Sequence, residues 1–239
     1  MTATIGTDFS TRLAVTRAGW HRVAEHVLAA ALYEATGKIG LVPAPGGFRT
    51  PSLRPDGHFL AVDGTELVVG DAAGIRRASL TTIGAAAEFA GVTPGAPAQV
   101  YKPATPLDLD EPLEIEPDAA RILADWYSLG AQAMSRFAIG IPGDKPSAAV
   151  LWPEHFDLGI TAAAVNYGAS PGDNHIAEPY VYVGPHDGPP PGDQAFWNAP
   201  FGAARTFRQI GTVAGAAAFF RDGRARVLAY AATLTRRTP

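Results

Sequence analysis

Residues able to ligate, donate or take a proton crowd into "LWPEHFDLGITAAAVNYGASPGDNHIAEPYVY", Leu151–Tyr182. His155 and Asp157 stand two apart, so on a strand both project from one face, while Phe156 and Leu158 point to the other. Asp173, His175 and Glu178 follow the tight turn Ala169–Asp173, shaped by Pro171 and Gly172. Tyr180 and Tyr182 then share one face of the next strand. If these strands are neighbours, His155 and Asp157 meet His175 and Glu178 at one end of a sheet. Three chemistries fit. His155, Asp157, His175 and Glu178 offer nitrogen and oxygen donors to a divalent metal. Alternatively, an Asp-oriented His acts as general base beside a Tyr180 or Tyr182 oxyanion donor. The third reading is structural, with Asp157 capping a turn and the 170–175 segment an exposed hairpin. Trp197, in the loop "PPPGDQAFWNAPFG", would wall or cover such a site.

Several tempting motifs fail. "HRVAEH" resembles a metalloprotease helix, but His21 and His26 are five residues apart. That places them about 140° apart on an α-helix, so they cannot share one metal, and an exposed helix face is the plainer reading. "DNHIAEPYVYVG" suggests a cupin, yet Asp173 stands where a first His is needed and Ala195 where the last should fall. "PGGFRTPSLRPDG" lacks the Gly-Lys-Ser/Thr of a phosphate loop, and no Gly-x-Ser-x-Gly elbow occurs.

The elements that must position these residues are set by periodicity. Thr16–Tyr33 reads as a helix burying Trp20, Val23, Ala24, Val27 and Ala31, with Arg22 and Glu25 off that stripe and Gly37 as its stop. Strands are predicted at 38–43, 48–53, 58–62, 66–69 and 75–80, with Asp63-Gly64 as a hairpin turn. A short helix over 83–90 closes at Gly91. The Pro-rich, acidic segment 93–116 reads as an extended surface crossing. Pro117 opens a second helix through Phe137, followed by strands at 148–152, 156–165 and 179–184. Residues 184–205 read as an irregular loop, and the Ala-rich tail as a helix broken at Asp222-Gly223. The whole is α+β: mainly antiparallel sheet flanked by helices, in one domain over 1–239. Residues 10–92 and 115–239 each run helix, strands, helix, the pattern a duplication would leave.

Composition bounds the function. The chain has 239 residues, 47% hydrophobic and 18% charged, so it holds a sizeable core. A net charge of −4, with basic residues scattered except at Arg76-Arg77, 221–226 and Arg236-Arg237, argues against a nucleic-acid partner. The absence of cysteine removes disulfides, thiolate metal sites, iron–sulfur clusters and a thiol nucleophile. No signal peptide and no membrane-length apolar run is visible, and a cytoplasmic location is expected.

"GKIGL", "FRTPSL", "LWPEHFDLGI", "VNYGASPGD" and "PYVYV", in this order, resemble an uncharacterised bacterial family, a domain of unknown function. In that pattern Trp152, Phe156, Asp157 and Leu158 fill the strand motif, and Gly168, Pro171 and Gly172 the turn. The resemblance implies the architecture and singles out Asp157. His155 stands where the family often has a small or aromatic residue, so no family-wide role is implied for it, and no activity or cofactor comes with the likeness. The expected function is binding or conversion of a small molecule at strands 152–182, centred on Asp157 and His155 and walled by Tyr180 and Trp197. The rival is a non-catalytic protein whose 184–205 loop makes homo-oligomer or partner contacts.

Overall fold

The computed structural model describes residues 7–235; Arg236 and Arg237 lie outside them. The chain forms two compact units, one of residues up to Ser128 with Val150–Asp157, the other of Leu129–Ala149 with the chain from Leu158 onward. The division does not fall at the Pro-rich connector, which belongs wholly to the first unit.

In the first unit, α1 (Thr7–Val23) runs into a π-helical turn (Ala24–Ala29) and α2 (Ala30–Thr36). Gly37, at φ 70°, caps the end by donating its N–H to the Tyr33 carbonyl. The predicted stripe is buried, with Trp20, Val23, Ala24 and Val27 fully enclosed. The expected exposed face is not exposed, however. Arg22, Glu25 and His26 are buried as well, and Glu25 is 0% exposed. The helical stripe itself is right, since Val27 within the π turn and Ala31 beyond it are buried too; the opposite face is buried because a distant segment covers it.

The segment that covers this face is the connector. It contains no strand and lies as a strap along the helix. Gly95 N–H donates to the His26 carbonyl at 3.0 Å, Arg22 donates to the Asp108 carbonyl at 2.9 Å, and Glu116 N–H donates to Thr16 Oγ1 at 3.0 Å. Proline removes backbone donors and regular pairing, so polar side chains of the helix hold the strap instead.

Five strands, β1 (Val42–Ala44), β2 (Gly47–Arg49), β3 (Phe59–Asp63), β4 (Glu66–Asp71) and β5 (Gly74–Ser79), form an antiparallel meander in sequence order. Gly64, at φ 61°, turns the β3–β4 hairpin where Asp63 pairs with Glu66. α3 (Ile83–Ala90) starts on Thr82, whose hydroxyl accepts from Ala85 N–H at 3.1 Å, and ends on Gly91 at φ 67°. β6 (Val150–Trp152) meets this unit through an antiparallel bridge from Leu151 to Leu41. Phe48, Trp20, Tyr127 and Phe156 pack edge to face at its centre.

α4 (Pro117–Ile139) begins in the first unit and ends in the second. The second sheet has the order β10-β9-β8-β7-β6, with β7 at Asp157–Ala162, β8 at Val165–Ser170, β9 at Tyr180–Pro185 and β10 at Ala203–Thr206. The predicted single strand 156–165 is instead a hairpin. Its turn, Ala163-Ala164, has φ of 47° and 60°, a conformation normally signalled by Asn or Gly. After α5 (Phe207–Ile210), α6 (Val213–Thr235) runs unbroken through Gly223. A Cβ there would lie 2.8 Å from Val183, so this glycine serves helix–sheet approach and not a break. Phe137, Tyr167 and Phe220 form the second unit's aromatic core. No described helix is long and apolar enough to cross a membrane.

Candidate functional site

The residues singled out from sequence divide between the units. Asp173, His175, Glu178, Tyr180 and Trp197 belong to the second. Asp173 accepts from Tyr180 Oη at 2.5 Å and from the backbone N–H groups of His175 and Ile176 at 2.7 and 2.8 Å. Burial pushes its pKa up, but these donors together outweigh burial and leave the carboxyl below the usual range. Asp173 is therefore the pin of the 170–180 loop. The His175 ring is exposed, and Glu178 pairs with Arg208 at 3.2 Å on the surface. Phe196 and Trp197 are buried against each other, and Phe196 also packs on Phe219 under the guanidinium groups of Arg205 and Arg226. These two aromatic residues are thus consumed by the unit's own packing. Tyr180, Tyr182 and Phe201 pack together in the same unit.

His155 and Asp157 belong to the first unit but not to one strand face. Residues 153–156 make a turn closed by Phe156 N–H donating to Trp152 O at 2.7 Å, and β7 starts only at Asp157. The Pro-Glu-His-Phe run bends the chain before the strand, so His155 swings into solvent and Phe156 takes φ 52°. Asp157 stays buried, with 9% exposure.

The helix motif set aside as a surface is the partner of this turn. His21 Nε2 lies 2.7 Å from the Pro153 carbonyl. A carbonyl only accepts, so Nε2 carries the hydrogen and Nδ1 the lone pair. The His21 ring stacks on Phe156 at 4.9 Å and 9°, and Phe156 is itself fixed by Tyr127 Oη donating to its carbonyl at 2.8 Å. Glu25 Oε2 lies 3.8 Å from His21 Nε2. One turn of helix thus ties an imidazole to the turn carrying Glu154 and Asp157.

Glu25 and His26 hold the strap. The Glu25 carboxylate accepts from Ala104 N–H at 2.9 Å, Thr105 N–H at 2.8 Å and Thr105 Oγ1 at 2.5 Å. His26 Nδ1 accepts from Ala96 N–H at 3.1 Å, which leaves Nε2–H to donate to Thr105 O at 3.1 Å. Both His26 nitrogens are used, and burial lowers its basicity despite Thr105 and Glu25, so it sits neutral. Its role is to bind the strap.

Two polar atoms near this junction are different. Tyr101 Oη, on the strap, and Glu154 Oε2, on the turn, are buried with no hydrogen-bond partner. Burial raises the Tyr101 hydroxyl's pKa, and the charges of Glu25 and Glu154 raise it further. Burial also raises Glu154, opposed by its own backbone N–H and by His155, while the Asp157 and Glu25 carboxylates add to the rise. Tyr127 is raised by burial and by Asp157. Buried polar groups left unpaired in a native fold call for an explanation, such as a catalytic role or a bound water or ion. A groove of about 390 Å³ in the same unit, floored by Val15, Ile115 and Pro117, lies elsewhere. Its inner polar groups are occupied, since Thr16 binds Glu116 N–H and the Glu116 carboxylate caps α4 at Ala119 N–H, 2.8 Å. Among the described residues, no group of three or more His, Asp or Glu side chains is arranged to hold a metal ion.

Sequence reasoning reached Asp157 and the 152–157 turn but missed His21, Glu25, Tyr101 and Glu154. A signal for two of them was present, since "HRVAEH" places a carboxylate four residues after a histidine on one helix face. No family model, curated protein or solved structure matches the chain.

Proposed function

We propose that the chain binds a small molecule at the first unit's junction of helix, strap and turn, with Glu154 and Tyr101 as its polar contacts and Asp157 beside them. The observation that supports this is the pair of buried, unpartnered atoms, Tyr101 Oη and Glu154 Oε2. Leaving each unpaired costs about 1–3 kcal/mol, a cost that a ligand hydrogen bond would remove. Glu25, Glu154 and Asp157 make the surroundings electronegative, and their charges add to the burial that raises Tyr101 and Glu154. The ligand is therefore uncharged or cationic and rich in hydrogen-bond donors, and anionic metabolites are disfavoured. The resemblance noted from sequence brings no activity, so the reading rests on this geometry.

The test is a thermal-shift screen of the full chain against polyols, sugars, nucleosides, amines, nucleotides and polycarboxylates. A ligand at a hundred times its Kd stabilises by about 2.7 kcal/mol, a readily measured shift. An uncharged or cationic compound should stabilise the protein, and the shift should vanish in Glu154→Gln and Tyr101→Phe but persist in His175→Ala. A screen with no hit, or a shift that survives both substitutions, refutes the reading.

A further inference from the structure

We infer that His26 is a pH-sensitive clasp on the loop that carries Tyr101: a proton on Nδ1 releases the Ala96 end of that loop, while Glu25 keeps the Thr105 end in place. As regulation of the site, the inference rests on the binding reading above. One ring holds both ends of the loop. Its Nδ1 accepts from Ala96 N–H at 3.1 Å, and its Nε2–H donates to the Thr105 carbonyl at 3.1 Å. Between these points Ala98, Gln99 and Val100 are exposed, whereas Tyr101 turns its hydroxyl inward to a buried position. The loop's own hydrogen bonds, Ala98 N–H to Ala96 O at 2.7 Å and Val100 N–H to Pro97 O at 2.8 Å, are local, so they let it move as one piece.

Protonation acts on the two ends unequally. An imidazolium has no lone pair, so Nδ1–H would face Ala96 N–H as donor against donor, in a residue only 2% exposed. The Ala96 bond must therefore break for the ring to take its proton. Nε2–H still donates to Thr105, and the Glu25 carboxylate, bound to Ala104 and Thr105, holds that end and offsets the new charge. Gly95 stays attached through its N–H on the His26 carbonyl at 3.0 Å. At φ 145° it has a backbone that glycine adopts without strain, and nothing lies within 4 Å of where a Cβ would stand, so it serves as the hinge. The groups around the ring are few. Glu25, Arg22 and His21 lie on its own helix, and the strap presents the Thr105 and Pro106 carbonyls. Lys102 of the strap is exposed, as is Glu88, the one titratable residue of α3. Burial is the largest influence and keeps the ring neutral near pH 7, with Arg22 acting the same way and Thr105, Glu25 and Pro106 opposing. The clasp is thus closed near neutrality and opens in acid. Opening moves Tyr101, one of the two polar contacts of the proposed site.

The experiment is an NMR pH titration of the full chain with ¹⁵N-labelled backbone and histidine. Nδ1 of His26 should protonate reversibly with a midpoint below the ordinary value of about 6.5. With the same midpoint, the Ala96 amide should lose about tenfold of its protection from hydrogen exchange, measured against the intrinsic rate at each pH, the equilibrium worth of one hydrogen bond. The Tyr101 amide should shift with it, while amides 95, 104 and 105 keep their protection. In His26→Asn, whose Oδ1 takes the place of Nδ1 as acceptor but does not titrate, Ala96 should stay protected throughout. Four results overturn the inference: protection lost at 104 and 105 together with 96, an Ala96 amide that ignores His26 protonation, a His26 that stays unprotonated until the whole chain unfolds, or an acid response that survives in His26→Asn. The first three are read on the unsubstituted chain, so the inference stays testable should His26→Asn not fold. The titration needs no ligand. An empty thermal-shift screen thus defeats the binding reading alone, and an unresponsive Ala96 defeats this inference alone.

Discussion

Replacing Glu25 tests the physical account of the first unit most directly. Glu25→Ala would strand three donors, the N–H groups of Ala104 and Thr105 and the Thr105 hydroxyl, which now converge on one carboxylate at 2.5–2.9 Å. The side chain is fully buried. Each hydrogen bond to a charged group contributes roughly 1.5–3 kcal/mol, and each stranded donor costs about 1–3 kcal/mol. These terms are not additive, because the strap can lift and let water in. The net cost should therefore be about 3–5 kcal/mol, comparable with breaking a buried ion pair. For a chain this long that corresponds to a Tm drop of roughly 6–20 °C. Glu25→Gln keeps one acceptor but turns its NH₂ toward Thr105, so a smaller loss of about 2–3 kcal/mol is expected. Urea denaturation gives the loss, and hydrogen exchange across 93–116 locates it, with amides 104 and 105 exchanging much faster in Glu25→Ala. A Tm change below about 2 °C, with unchanged exchange at those amides, would refute the strap account.

Three further outcomes rest on the same geometry. His26 and His21 are both held below the ordinary imidazole pKa by burial, so the unfolded chain takes up protons first. Their stabilising contribution is complete above about pH 6.5 and declines as pH falls through that value toward the folded pKa values. Tm against pH should show this decline, and it should be shallower in His26→Gln; identical slopes would contradict it. Gly130→Ala gains about 1 kcal/mol of helix propensity, but its Cβ would sit 2.6 Å from that of Ala169. Overpacking costs about 1–3 kcal/mol, so urea melts should show net destabilisation. Ala164→Gly, at φ 60°, relieves a left-handed cost of about 1–2 kcal/mol against an entropic loss of roughly 0.5–1 kcal/mol; a modest rise in Tm is expected, and a fall would show the turn is not strained.

Much of the fold was legible in local sequence. Thr82 and Gly91 bracket a helix because a hydroxyl cap and a left-handed glycine act within four residues. Gly64 turns the β3–β4 hairpin for the same local reason. Where local signals were missing, the reading failed: Ala163-Ala164 turns with no Gly or Asn to announce it, so two strands were read as one. The candidate site was legible in half. Asp157 and its turn were found, but His155 was placed on a strand that begins only after it.

The sequence by itself determined the two apolar helix stripes, the run of short strands, the extended, irregular course of the Pro-rich connector, and a chemistry without thiols. Only the tertiary structure decided what the polar residues do. Arg22, Glu25 and His26 read as a solvated helix face because periodicity assumes an α-helix and sees no partner beyond its own chain neighbourhood. A strap about 80 residues away in sequence covers that face. Hydrogen bonds over that separation leave no periodic trace, so the His21–Pro153 contact and the unpaired Glu154 and Tyr101 atoms emerge only when helix, strap and turn are brought together.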